Sequence, residues 1–335
     1  MSQNILRPFV TLFVAAIYAL SLANIEVILG VSESDIKDRL NYLNYFFVHV
    51  SLIESLSQGN IISFFASEPA FSFLWVLLSR LVSDESLALS ILIFSSALVA
   101  AFVIMERRDV PFLWKVLILV FPWFLVNYIM TLRQGVAIAV LLYSHFYLTG
   151  RWKWIAYAVT PLIHYSFFLV LGVLILSNVL SASKVTNAVR LVALNGLVLW
   201  LSSLILAVVN GWIPTPVMEF ESLVLGYADK VAGGFGFGIL YWGGVLTLML
   251  ASERDFIKNN LASIFAITLY LCGALFFSPM SRVLQSFSPI ILLVGFQLTG
   301  YRLVAFKGLL LLHVIYFFAT SLYEGGPSGM LVEVG

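Results

Sequence analysis

The sequence predicts an all-α polytopic integral membrane protein with roughly 10–12 transmembrane helices, some re-entrant or broken, and two longer outer loops. Composition, run length and the lack of alternation predict it. The 335-residue chain is 61% hydrophobic, carries 28 Phe and only 10% charged residues, and has a mean hydropathy of +1.02. Its apolar runs repeatedly reach or approach the ~20 residues that cross ~30 Å of hydrocarbon. They do not alternate apolar and polar residues as barrel strands do, which leaves helices as the form that satisfies a backbone inside lipid.

The spanning candidates, in order, are 8–29, 86–105, 111–131, 134–149, 191–209, 236–251, 261–279, 283–299 and 308–323. The first follows Arg7; with no small-residue cleavage site after it, an uncleaved helix is expected rather than a signal peptide. The stretch 152–180 is apolar but interrupted by Pro161 and His164, which predicts a helical hairpin with a short first arm. Residues 69–83 are short for a span and are expected to form a re-entrant or tilted helix dipping from the outer face. In the alternative, 42–57 crosses instead and Glu68 moves to the inside. The whole chain, 1–335, is expected to be a single polytopic membrane domain.

Sidedness follows from the basic connectors. Lys and Arg concentrate in cytoplasmic loops, so 106–109 (ERRD), 151–153, 184–190, 253–258 (ERDFIK) and 302–307 are placed inside. That puts Arg133 and Arg282 at turns on the outer side, with the long loops 31–68 and 210–235. Within the first loop, 35–47 places Leu40, Leu43 and Phe47 on one helical face beside Tyr42 and Tyr45, as an interfacial amphipathic helix would. Residues 217–232 look similar, and the glycine-rich 233–238 reads as a flexible lead into the next helix.

Several function classes are excluded. A net charge of +1 gives no sign of nucleic-acid binding, and Cys272, the single cysteine, rules out intramolecular disulfides and thiolate metal sites. The four histidines, His49, His145, His164 and His313, show no metal-ligand spacing. There is no phosphate-cradling glycine loop, zinc motif or nucleophile elbow, so neither metal nor organic cofactor is expected. No internal repeat supports an inverted-repeat transporter.

Two arginines stand out. Arg133 separates uncharged runs at 116–132 and 134–150, and Arg282 separates 259–281 from 283–301. A charge at membrane depth is costly unless it faces protein or a water-filled cavity, so each is a functional-site hypothesis. Arg133 and Gln134 open a helix of small residues, Gly135, Ala137 and Ala139, which let neighbouring helices approach closely. Arg282 follows Ser278 and Ser281 near a helix start between Pro279 and Pro289, where free N–H groups and the helix dipole favour an anion. Arginine suits bidentate phosphate recognition. The competing reading for both is snorkelling to headgroups from an ordinary helix end.

Three further groups carry open alternatives. His164 could donate to a phosphate or act as acid or base, or it could be a core histidine bonded to a carbonyl freed by Pro161. Glu68, before Pro69, could be a helix cap, a proton acceptor, or the partner of one of the arginines. Asp35, Asp38 and Arg39 form a solvated face or one wall of a sugar cleft.

The ordered set Asp38, Tyr42, Tyr45, then Glu68-Pro69-x-Phe71, Leu132-Arg133-Gln134-x-x-Ala137, and Ile163-His164-Tyr165-Ser166 resembles the EpsG family of Wzy-like polysaccharide polymerases. Arg282 before an apolar helix fits the same pattern, and the resemblance spans about residues 35–300. It implies a bacterial inner-membrane glycosyltransferase with its site facing the periplasm or exterior. Such an enzyme joins polyprenyl-diphosphate-linked (undecaprenyl-type) repeat units into O-antigen, capsule or exopolysaccharide at the outer leaflet. In this reading Arg133, Arg282 and Gln134 bind the diphosphate, His164 and Glu68 are catalytic, and Asp38, Tyr42, Tyr45 and Tyr165 line the substrate cleft. The partners are the lipid-linked oligosaccharide, membrane lipid and, as a further candidate, a chain-length regulator. The alternatives are a flippase or transporter of lipid-linked oligosaccharide, and a ligase that passes the glycan to another acceptor.

Overall fold

The computed structural model describes residues 3–30, 36, 42, 68–182, 237–276 and 280–332. Among these there are fourteen helices and no strand. They fall into two compact units, Met1–Phe168 with Val314–Gly335, and Leu169–His313. α4 (Glu85–Glu106) and the stretch Tyr301–Thr320 are long and apolar enough to cross a membrane. Six shorter apolar helices accompany them, in keeping with a membrane protein.

In the first unit, α1 (Gln3–Ala23) packs along α4. One face of α1 is buried through Ala15, Ala19 and Leu22, while Phe9 and Phe13 on the other are each 66% exposed. α1 does not run to residue 29 as expected: it stops at Ala23, and a short α2 (Ile25–Leu29) follows and ends on the left-handed Gly30. α3 (Pro69–Leu81), 13 residues long, forms where a helix over 69–83 is expected, started by Pro at its first position. α4 is capped by Asp84, whose carboxylate accepts from the Leu87 N–H.

The expected single span over 111–131 is instead two helices, α5 (Phe112–Leu119) and α6 (Pro122–Ile129), bent by 50°. The reason is Pro122: it has no N–H to continue the ladder and instead starts a new helix. α7 (Leu132–Tyr147) then lies against α4 and α6. Gly135 makes that closeness possible, since a Cβ there would sit 2.5 Å from the Asn127 carbonyl oxygen of α6. α8 (Gly150–Ile163) returns beside α7 and also touches α3.

α8 contains Pro161 in its last turn, which leaves the Tyr157 carbonyl without its helical donor. The Thr160 hydroxyl supplies one at 2.7 Å. The same device recurs at Pro289, where the Ser288 hydroxyl donates to the Gln285 carbonyl at 2.8 Å.

The C-terminal end of α4 is held by cations. Lys115, buried, donates to the Met105 carbonyl at 2.7 Å, and Arg7 reaches the Glu106 carbonyl at 3.4 Å. Arg107, the next residue, sits over the Phe146 ring at 4.6 Å near the end of α7, and Lys153 donates to the His145 carbonyl at 3.0 Å. α4 and α7 therefore run parallel, with their C-terminal ends together in a basic cluster. The first turn of α7 lies about 24 Å away along its axis.

The second unit contains α9 (Phe167–Ala182) from Leu169 onward, α10 (Phe237–Leu250), α11 (Arg254–Asn259), α12 (Leu261–Phe276) and α13 (Met280–Gly295). α12 packs on α13 and α10. α14 (Tyr301–Val332) begins seven residues before the candidate span at 308–323 and ends nine after it. Three expected connectors are thus helical: 302–307 opens α14, 253–258 is largely α11, and 151–153 is the first turn of α8. The expected break inside 152–180 is present at His164–Ser166, between α8 and α9. The expectations for 35–47 (bar Ile36 and Tyr42), 184–190, 191–209 and 210–235 lie outside the described residues.

Candidate active site

α7 and α8 form a pair of 16 and 14 residues joined by two residues, so the end of α8 comes back level with the start of α7. That geometry brings His164, at the C-cap of α8, to Arg133, in the first turn of α7. The third member arrives on α3, which packs against α8 and carries Glu68 at its N-cap.

Glu68 is the centre of the site. Its Oε2 accepts from Arg133 Nη1 at 2.6 Å, and its Oε1 meets His164 Nδ1 at 2.5 Å and the Tyr165 backbone N–H at 3.2 Å. An ionised carboxylate can only accept, so His164 carries its proton on Nδ1, leaving Nε2 as the basic nitrogen of the neutral ring. Glu68 is 1% exposed and His164 4%, whereas the Arg133 side chain keeps 29% of its surface open. Burial by itself would raise the Glu68 carboxyl. The His164 hydrogen bond, its charge whenever the ring is protonated, the Arg133 charge and the Tyr165 N–H together outweigh it and hold the carboxyl below its ordinary 4.5.

The backbone at this point is under strain. Glu68 has φ 54° and ψ 62°, the only positive φ on a non-glycine among the described residues, and it precedes a proline. Such a conformation costs of order 1–3 kcal/mol and persists where surrounding contacts fix it. Here three hydrogen bonds do so. Although it occupies the N-cap position, its side chain makes no cap bond to α3, so the capping reading gives way to pairing with Arg133. The alternative for His164, a bond to the carbonyl freed by Pro161, also falls: Thr160 takes that carbonyl.

Behind Arg133 stands an aromatic wall. The guanidinium lies 5.7 Å from the centroid of Tyr42, which is 2% exposed; Tyr42 meets Phe71 at 6.0 Å, and Phe71 stacks on Trp75 at 6.2 Å. Tyr165 is half-buried, its ring edge-on to His164 at 5.1 Å. Gln134 is fully buried, one helical step of ~100° round from Arg133. Arg282 sits in the first turn of α13, in the second unit. Asp38 and Tyr45 lie outside the described residues.

The Tyr165 N–H and the Phe71–Trp75 backing were not anticipated. The lengths of 134–149 and 152–163 carried a usable signal, because two helices of near-equal length return the chain to the same level.

Chemically, the arrangement offers a partly open cation beside a buried carboxylate–histidine pair. The cation suits an anionic group, and the pair suits moving a proton. No curated protein and no solved structure matches the chain. A family model described as "EpsG family" matches residues 5–330, nearly the whole sequence. The chain therefore belongs to the EpsG family, a family of Wzy-like polysaccharide polymerases.

Proposed function

We propose that the chain is a multi-pass bacterial inner-membrane polymerase that joins polyprenyl-diphosphate-linked repeat units at the outer leaflet. The observation that carries this reading is the partly exposed Arg133 side chain beside the buried Glu68–His164 pair. The donor's leaving group is a diphosphate at headgroup depth, which needs a cation there and no nucleotide site. Orientation is supported by the opposite end of α7. Arg7, Arg107, Lys115 and Lys153 gather there, as the inner side of a membrane protein favours.

In the transfer, the acceptor hydroxyl oxygen forms a bond to the anomeric carbon as the bond from that carbon to the diphosphate oxygen breaks. The electron pair leaves with the diphosphate, whose charge Arg133 neutralises; Gln134 and Arg282 are the further diphosphate-binding candidates. The hydroxyl proton passes to His164 Nε2. Three donors already engage Glu68, so its role is to orient and charge-stabilise His164 rather than to take that proton itself. Asp38, Tyr45 and Tyr165 complete the sugar cleft, Tyr42, being buried, backs Arg133 instead, and a chain-length regulator is a candidate partner.

The test is chain extension by purified protein given a lipid-linked repeat unit. A ladder of products longer than the starting repeat supports the polymerase. Translocation with no longer product would place the chain among flippases, and a single shift onto a different acceptor would make it a ligase.

A further inference from the structure

Arg133 has an anion already. Its Nη1 lies 2.6 Å from Glu68 Oε2, so any phosphate that engages the guanidinium shares it with, or takes it from, a carboxylate fixed by two other hydrogen bonds. The two partners differ in freedom. Glu68 is 1% exposed and locked at a strained φ of 54°, while the Arg133 side chain is 29% exposed on one turn of helix above the Tyr42 ring. The arginine is the member that can turn away.

We infer that Glu68 is a stand-in for the donor diphosphate: it holds Arg133 in place until the donor arrives, and donor binding draws the guanidinium off it and so primes His164 as base. This rests on the polymerase reading above and adds an order of events to it. While Arg133 and His164 share one carboxylate, each receives part of its negative charge. When a diphosphate with its greater charge engages Arg133, the carboxylate retains His164 Nδ1–H and the Tyr165 N–H. With the guanidinium gone, more of its charge falls on the imidazole, and Nε2 becomes a better proton acceptor. No bond is made or broken in this step; one hydrogen bond is exchanged for another. Its consequence is that proton abstraction becomes efficient only with donor in place.

The stand-in role predicts opposite effects from two substitutions in the site. Full-length protein in detergent is titrated with inorganic diphosphate by calorimetry. Glu68→Gln removes the competing charge and should bind diphosphate roughly tenfold more tightly while losing polymer formation. His164→Ala leaves the carboxylate to Arg133 and the Tyr165 N–H, and should bind diphosphate at least about threefold more weakly. Should Glu68→Gln fail to fold, the His164→Ala arm decides by itself. Unchanged or weaker binding by Glu68→Gln, or unchanged or tighter binding by His164→Ala, overturns the inference while leaving a polymerising wild type intact. A wild type that neither binds diphosphate nor extends a chain overturns the reading beneath it.

Discussion

Glu68 and Arg133 are 65 positions apart in sequence and 2.6 Å apart in the fold. The pairing answers why an arginine can sit between two uncharged runs. One partner is a buried carboxylate, and the arginine side chain keeps 29% of its surface open. Breaking such a pair from the carboxylate side strands the cation. Breaking it from the arginine side leaves a buried charge held by His164 and one N–H.

Arg133→Ala should reduce polymer by roughly 10²–10³-fold, the loss expected when a donor aimed at developing charge is removed. Arg133→Lys should recover little, because an ammonium cannot bridge carboxylate and phosphate with a planar fork. Arg282→Ala should match the alanine result. Gel ladders from cells holding equal amounts of membrane-inserted protein check all three, and a wild-type ladder from either alanine variant would contradict the assignment.

The ionisation of Glu68 gives a pH signature. Its folded value lies below the ordinary 4.5, so its contribution to stability is full above 4.5 and is lost as pH falls from there through the lowered value. Melting temperatures of wild type and Glu68→Gln should therefore differ most near neutrality, begin to approach below 4.5 and converge only beneath the lowered value. A gap that stays constant down the titration would argue against the carboxylate being ionised in the fold.

Gly135→Ala should push α7 off α6, because its Cβ would meet the Asn127 carbonyl at 2.5 Å and the Tyr128 ring at 3.0 Å. A destabilisation of about 1–3 kcal/mol is expected. Because Arg133 rides on the same helical turn, activity should fall roughly a hundredfold, the effect of ~1 Å of misplacement. Thermal unfolding and chain-extension rates report the two effects separately.

Thr160→Val should destabilise by about 1–3 kcal/mol by leaving the Tyr157 carbonyl unpaired beside Pro161, and Thr160→Ser should be close to wild type. Equal melting points for the two variants would show that the hydroxyl does not serve that carbonyl.

Much of this architecture was legible in the sequence for physical reasons. Uncharged runs gave the helical class, Pro69 and Arg133 marked helix starts, and Pro161 with His164 marked the break. The bend at Pro122 was not read, because hydrophobicity continues unbroken through 116–126 and masks the missing N–H. Charged residues at 302–307 suggested a loop, yet they begin a helix, where Arg302 reaches across to donate to the Ala251 carbonyl at 2.7 Å. The individual candidates Glu68, Arg133 and His164 were each visible as odd residues in apolar surroundings. Their joint hydrogen bonding was open among several alternatives, since it depends on three helices meeting and on a left-handed backbone at a residue that is not glycine.

The most direct measurement is photo-crosslinking of a polyprenyl diphosphate carrying a photoreactive group next to its phosphates, followed by peptide mapping. Label should concentrate on peptides bearing Glu68, Arg133 and His164–Tyr165, and should drop sharply in Arg133→Ala. Label confined to other segments, or undiminished in that variant, would contradict the account.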